Sequence, residues 1–242
     1  MRRAHGLELH EQEWMPETIR TALTEWLRAL WEYSRAATAI APLLRTAILS
    51  SGAGRIVDLC SGSSGPAIPV QAELARSGVE VPVILTDKFG AIKIDARSVP
   101  AELTGMRTLF NSFHHVRPDE ARRILEDACL GGQPIGVFEI TSREWPKVLM
   151  SFPASFIGCF LLLPRVRPVR ASWWIFTWLI PVIPLVIGWD GLISHLRAYK
   201  RSEVEEMTRG LGGEEWTWEQ GRVAAPRGGV TINYMIGRPA AR

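Results

Sequence analysis

The string Val57-Asp58-Leu59-Cys60-Ser61-Gly62-Ser63-Ser64-Gly65 is the part of the chain best equipped for chemistry. A short β-branched run delivers the Asp58 carboxylate at its end, and the small residues beyond it let a ligand lie against bare backbone. A second carboxylate, Asp87, closes the run Ile84-Leu85-Thr86, 29 residues after Asp58, and its two acceptor oxygens suit a diol. Farther along, Leu109-Phe110-Asn111-Ser112-Phe113-His114-His115 carries an apolar run into a histidine pair, and histidine is the side chain whose ordinary pKa best suits a general base near neutral pH. Cys60, Cys129 and Cys159 are an odd number without metal-ligand spacing, so neither a metal nor a disulfide framework is implied.

These residues need a scaffold that brings strand ends together. Strand, Gly-rich turn and helix follow one another from Ile56 to Arg76, Ser77-Gly78 stops the helix, and Val81 to Thr86 makes a second strand. Runs at 107–110 and 135–140 read as further buried strands, separated by a helix over 118–130 whose Pro-Asp-Glu opening suits a helix start. Such alternation predicts a parallel sheet. At the far end, 215–222 and 230–237 are β-prone runs split by Ala225-Pro226-Arg227-Gly228-Gly229, the pattern of an antiparallel hairpin. Before the first strand, Ile19, Leu23, Trp26, Leu27, Leu30 and Trp31 recur at helical spacing. The expected fold is therefore α/β: a Rossmann-like, mostly parallel sheet with a C-terminal antiparallel hairpin strand, an N-terminal helical layer and an apolar helical insertion. A single domain over 1–242 is expected, with N-terminal helices over 1–50, a core over 51–142, the insertion over 143–200, and the last helix and hairpin over 201–242.

In these motifs the chain resembles the class I S-adenosylmethionine-dependent methyltransferases, in which an acidic residue ends the first strand ahead of a G-x-G-like turn. The resemblance covers about residues 50–142 and, through the hairpin, roughly 200–238. It implies S-adenosylmethionine as cofactor, held by Asp58, Cys60, Ser61, Gly62 and Gly65 at the turn and by Asp87 and Lys88 at the ribose. Asp95-Ala96-Arg97-Ser98-Val99-Pro100 resembles the family's segment near adenine, with Asp95 accepting from the exocyclic amine. Asn111 and Ser112 match the end of the family's fourth strand, and His114 or His115 becomes the base for a hydroxyl acceptor. The sequence departs from the family in two places. Cys60 and Ser64 replace glycines, and only seven residues separate Asp87 from Asp95, fewer than the ten or so a βαβ crossover takes. Either a segment is missing or the crossover is a tight loop.

The insertion bears on the acceptor. Its apolar run over 152–163 is too short to span a bilayer, and nineteen uncharged residues over 171–189 are interrupted by Pro181 and Pro184, so spanning is not expected. A lid over a greasy substrate, a segment dipping into a membrane surface and a homodimer surface remain open. Trp14, Asp190, His195 and Tyr199 are candidate substrate contacts. The expected activity is methyl transfer to a hydrophobic small molecule or lipid. The alternatives are a non-catalytic membrane-associated or oligomerising protein on the same fold and, less favoured because Cys60 stands where the first glycine of G-x-G-x-x-G belongs, a nicotinamide-dependent oxidoreductase. A formal charge of +3, with basic residues scattered apart from Arg165, Arg167 and Arg170 between two apolar runs, does not favour nucleic acid. Met1 to Glu13 lack the apolar stretch of a secretory signal, so a cytoplasmic location is expected, with peripheral contact at the inner face of the membrane left open.

Overall fold

The computed structural model describes residues 1–62, 65–87, 92–168 and 170–240; Ser64 and Lys88 lie outside the described residues. The chain forms two compact units, 34–140 with 200–242 and 1–33 with 141–199. The N-terminal helical layer is divided between them. Helix α1 (Glu17–Ser34) and helix α2 (Ala36–Ser51) are separated by Arg35 in a left-handed conformation, and α1 belongs almost entirely to the second unit while α2 belongs to the first.

The first unit is built on a six-stranded sheet. Its strands are β1 (Ile56–Asp58), β2 (Val83–Leu85), β3 (Met106–Phe110), β4 (Ile135–Glu139), β5 (Trp216–Ala224) and β6 (Thr231–Pro239), in the order β2-β1-β3-β4-β6-β5. The first four are parallel, and the β5–β6 hairpin joins through β6, antiparallel to β4. This is the expected Rossmann-like arrangement. Between β1 and β2 runs α3 (Ala67–Arg76), and between β3 and β4 runs α4 (Pro118–Leu130). The two crossovers travel in opposite directions along the sheet, so right-handedness puts α3 and α4 on opposite faces. Helix α2 packs on α3, and α8 (Arg201–Thr208) packs on α4. Strands β1, β3 and β4 are buried almost throughout, whereas the edge strand β2 is only half-buried and shorter than its apolar run.

The described part of the short stretch after Asp87 begins at Ile92. Among the described residues, no helix or strand lies between β2 and β3, only the isolated bridges Asp87–Lys93 and Asp95–Ser98. Strand β3 lies on the other side of β1 from β2, and β2 remains the sheet edge.

The second unit is helical. Helix α5 (Trp145–Leu162) continues as a 3₁₀ turn to Arg165; α6 (Ala171–Trp174) runs into a π-helical turn over Ile175–Leu179; α7 (Val182–Arg197) follows. Helix α5 corrects the sequence reading, because Trp145–Arg165 spans 21 residues and is long and apolar enough to cross a membrane. It begins earlier than its apolar run because Pro146 sits in the first turn, where a missing N–H costs no hydrogen bond. The second apolar run breaks as its prolines predict, with α6 and α7 bent 77° apart. Helices α5 and α7 pack closely at two glycines: a Cβ on Gly188 would come within 3.0 Å of the Phe152 ring, and one on Gly191 within 2.7 Å of Ser155 Oγ. The apolar stripe of α1, with Ile19, Ala22 and Trp26, is buried against Cys159, Leu162, Trp173 and Ile183. Helix α7 ends at Arg197 and α8 starts at Arg201, where Glu203 accepts the Lys200 N–H at 2.9 Å.

Candidate functional site

Parallel strands of such a sheet all present their carboxyl ends on one edge, and the chain moves from β1 outward to β2, then back to β3 on the opposite side of β1. The resulting switch point at β1/β3 is where open α/β sheets leave a crevice for ligands. Asp58 ends β1 there. Its side chain is buried, with the residue only 1% exposed, and Oδ1 accepts a 2.6 Å hydrogen bond from Thr108 Oγ1 on β3. Burial pushes the Asp58 carboxyl up to about 7; the Thr108 bond opposes that shift and the Asp87 charge adds to it.

Beyond Asp58 the backbone turns through positive φ at Cys60 (58°) and Gly62 (54°). Ser61 anchors the turn to the neighbouring strand end, its N–H and its hydroxyl both donating to Thr86 O at 3.0 Å. The Gly62 N–H donates to Asp87 Oδ2 at 3.0 Å, which fixes the carboxylate that follows β2 beside the turn that follows β1. Among the described residues, a Cβ built on Gly62 meets nothing within 4 Å. Gly65 also has positive φ (35°), and a Cβ there would make ordinary contact with Ser61 O at 3.5 Å. Burial raises the Cys60 thiol to about 12, with the Asp87, Asp58 and Asp95 carboxylates adding to the shift. The thiol therefore stays protonated at neutral pH and is a poor nucleophile.

In the neighbouring loop, Asp95 is turned toward Arg97, accepting from its backbone N–H at 3.0 Å and from its guanidinium at 2.6 and 2.9 Å. Ala96 is buried beside it. At the end of β3, Asn111 has φ 50°, and its Oδ1 accepts the Ile140 N–H at 3.2 Å, tying the ends of β3 and β4 together. The Ser112 hydroxyl is buried without a hydrogen-bond partner among the described residues. His114 is 1% exposed, with Nδ1 2.5 Å from Glu139 Oε2, while Glu139 Oε1 accepts the Phe113 N–H at 2.8 Å. His115 lies half-buried with its ring 4.2 Å from that of His114.

The sheet unit thus brings Asp58, Cys60, Ser61, Gly62, Gly65 and Asp87 together at one edge, with Asn111, Ser112 and His114 on the next strand ends. Two residues were missed by sequence reasoning. Glu139 closes a buried strand in the same way as Asp58, a signal that was available. Thr108 carries none, because its partner is 50 residues away.

The four substrate candidates lie in the helical unit, where three have internal partners. Asp190 accepts the Leu9 N–H at 2.6 Å, the His10 N–H at 3.0 Å and a bond with His10 Nδ1 at 2.9 Å. The His195 Nδ1 lies 2.9 Å from Ser142 O, and the Tyr199 ring lies 4.3 Å under the Arg3 guanidinium. Trp14 is exposed.

No family model matches the sequence, and no curated protein matches it. Among solved structures, the chain is similar to the mitomycin 7-O-methyltransferase MmcR, at 16% identity and TM-score 0.45, covering 91% of this chain and 54% of that one. It is also similar to LepI solved in complex with SAM, at 14% identity and TM-score 0.43, covering 78% of this chain and 43% of that one. A third is the magnesium protoporphyrin IX methyltransferase ChlM from Synechocystis PCC 6803 with bound SAH, at 8% identity and TM-score 0.43, covering 94% and 90%. The chain therefore spans about half the length of the first two structures.

Proposed function

We propose that this protein transfers a methyl group from S-adenosylmethionine to a hydrophobic acceptor, a small molecule or a lipid. The observation that carries this reading is the Gly62 N–H to Asp87 bond at the carboxyl edge of the sheet, in a turn where a Cβ on Gly62 would meet nothing within 4 Å among the described residues. Asp87 would hold the ribose diol, the Cys60-Ser61-Gly62 backbone would lie along the amino-acid portion, and Ala96 with Asn111 and Ser112 would line the far side. The Asp87 and Asp58 carboxylates act on Cys60, while that of Asp95 is paired with Arg97. Such a field favours a ligand bearing sulfonium and ammonium charges and opposes a pyrophosphate, which separates this reading from a nicotinamide-dependent one.

The cofactor, once bound, supplies an activated methyl group for in-line displacement. The chain's own residues then have to align the acceptor and handle its proton. A carboxylate only accepts hydrogen bonds, so Glu139 favours the tautomer of His114 with the proton on Nδ1, leaving Nε2 as the basic nitrogen. His114 in that form would take the proton of a hydroxyl acceptor. The apolar run of the sequence over 143–200 is what suggests a hydrophobic acceptor.

Calorimetric titration with S-adenosylhomocysteine tests the reading. Micromolar binding is expected, weakened at least tenfold in Asp87→Ala, because a charge-assisted hydrogen bond contributes about 1.5–3 kcal/mol. Absence of binding to the wild-type protein would overturn it.

A further inference from the structure

The helical unit buries one side of its apolar hairpin and leaves the other in solvent. Toward α1, Cys159, Leu162, Trp173 and Ile183 are buried. On the outside, Leu161, Trp174, Trp178, Leu179, Ile180 and Leu185 are exposed, Leu179 by 76% and Trp178 by 55%. Trp178 packs on Phe160 and Trp174, with ring centroids 5.1 and 6.1 Å apart, so the outer face is contiguous from α5 to the segment that leads into the bend. Only 28% of the most apolar window of α5 is buried, whereas the core helix of a soluble domain is mostly buried. Contiguous apolar surface of this kind marks a contact site.

Charge identifies the partner. Residues 145–189 contain four basic residues, Lys147, Arg165, Arg167 and Arg170, and no acidic one. The three arginines are exposed in the connection between α5 and α6. Arg165 bonds Leu161 O, Arg167 bonds Pro164 O and Val166 O, and Arg170 lies 5.3 Å from the Trp173 ring centroid, so their contacts are with carbonyls and a ring. A two-fold pairing of this face would bring two arginine clusters together with no carboxylate in the face to receive them. Interfacial tryptophans beside a basic rim instead match the chemistry of an anionic membrane surface.

Full spanning is ruled out by α1. That helix covers the far end of α5 and carries the ion-paired Glu25, Arg28 and Glu32 on its other side, and these charges would have to enter hydrocarbon. The 77° bend between α6 and α7 likewise suits a shallow dip.

We infer that the outer face of α5 and the α6–α7 bend docks onto an anionic lipid bilayer, with Trp178 and Leu179 below the headgroups and Arg165, Arg167 and Arg170 on lipid phosphates. This inference does not rest on the methyl-transfer reading, which the calorimetric titration addresses separately.

The test is co-flotation of the full chain with vesicles of phosphatidylcholine alone or mixed with phosphatidylglycerol. Binding to the mixed vesicles only is expected, weakening with salt and accompanied by quenching of tryptophan emission by brominated acyl chains. Replacing the three arginines by alanine should weaken binding by about fivefold per residue. Leu179→Glu should abolish the quenching while leaving circular dichroism and the thermal midpoint unchanged. Equal binding to neutral vesicles, no binding to either, or full binding by both variants would overturn the inference. A stable dimer in sedimentation velocity, without vesicle binding, would assign the face to a second copy instead.

Discussion

Asp58 offers the sharpest test of the site, because its carboxyl is buried with one neutral donor and a like charge nearby. Its folded pKa of about 7 lies above the ordinary 3.8, so between those values the folded chain holds a proton that the unfolded chain has lost. Stability therefore falls as pH rises through this window and levels off above it. The separation of about three units corresponds to about 4 kcal/mol. Asp58→Asn keeps an oxygen in place to accept from Thr108 Oγ1 and removes the titration. Urea denaturation of both proteins at pH 4.5 and pH 8 should give the variant a relative gain of a few kcal/mol at pH 8. A wild-type-minus-variant difference that does not change with pH would refute the argument. The same reasoning predicts that a cationic cofactor, by favouring the ionised carboxyl, releases a proton on binding near pH 7, measurable as a dependence of binding enthalpy on the ionisation enthalpy of the buffer.

Other expectations follow from single contacts. In wild-type protein the ¹⁵N shifts of His114 should report the Nδ1–H tautomer, and Glu139→Ala should lose about 1–3 kcal/mol of stability, because Phe113 N–H and His114 Nδ1 both lose their acceptor. An Nε2–H tautomer in the wild type would remove the proposed base role. Cys60, with its thiol raised to about 12 from an ordinary 9.0, should carry about a thousandfold less thiolate than a free cysteine and resist iodoacetamide at pH 7.5 by mass spectrometry. Asp190→Ala should cost about 2–4 kcal/mol and open residues 1–13 to limited proteolysis, because Leu9 N–H and His10 N–H lose their shared carboxylate.

The sheet was legible because its central strands are buried on both faces and therefore read as continuous apolar runs bounded by turns. Helix α4 follows its sequence signals at both ends, Pro118 opening it and Gly131-Gly132 following Leu130. Strand β2 was overestimated, since an apolar run at an edge pairs only where the neighbour is regular, and β1 offers it three partners. The division into two units was not legible at all. Periodicity announces that α1 has an apolar stripe, but the identity of the surface that buries it, here Cys159, Leu162 and Ile183, comes from residues more than a hundred positions away.

The same limit applies to the site, and it explains why the carboxylates were easier to find than their roles. Asp58 and Asp87 announce themselves by ending or following a strand, a signal that Glu139 shares, yet what distinguishes the three is a partner from another part of the chain. Asp58 has only the Thr108 hydroxyl, Asp87 has the Gly62 amide, and Glu139 has an amide and an imidazole. One end of the edge thereby carries negative charge with no basic side chain among the partners of Asp58, the arrangement that suits a cationic ligand. The other end couples its carboxylate to a histidine, the arrangement that suits moving a proton. A methyl donor bearing positive charge and an acceptor that must lose a proton would make use of that asymmetry, each at its own end, whereas a dinucleotide would meet the first end with its pyrophosphate and be repelled.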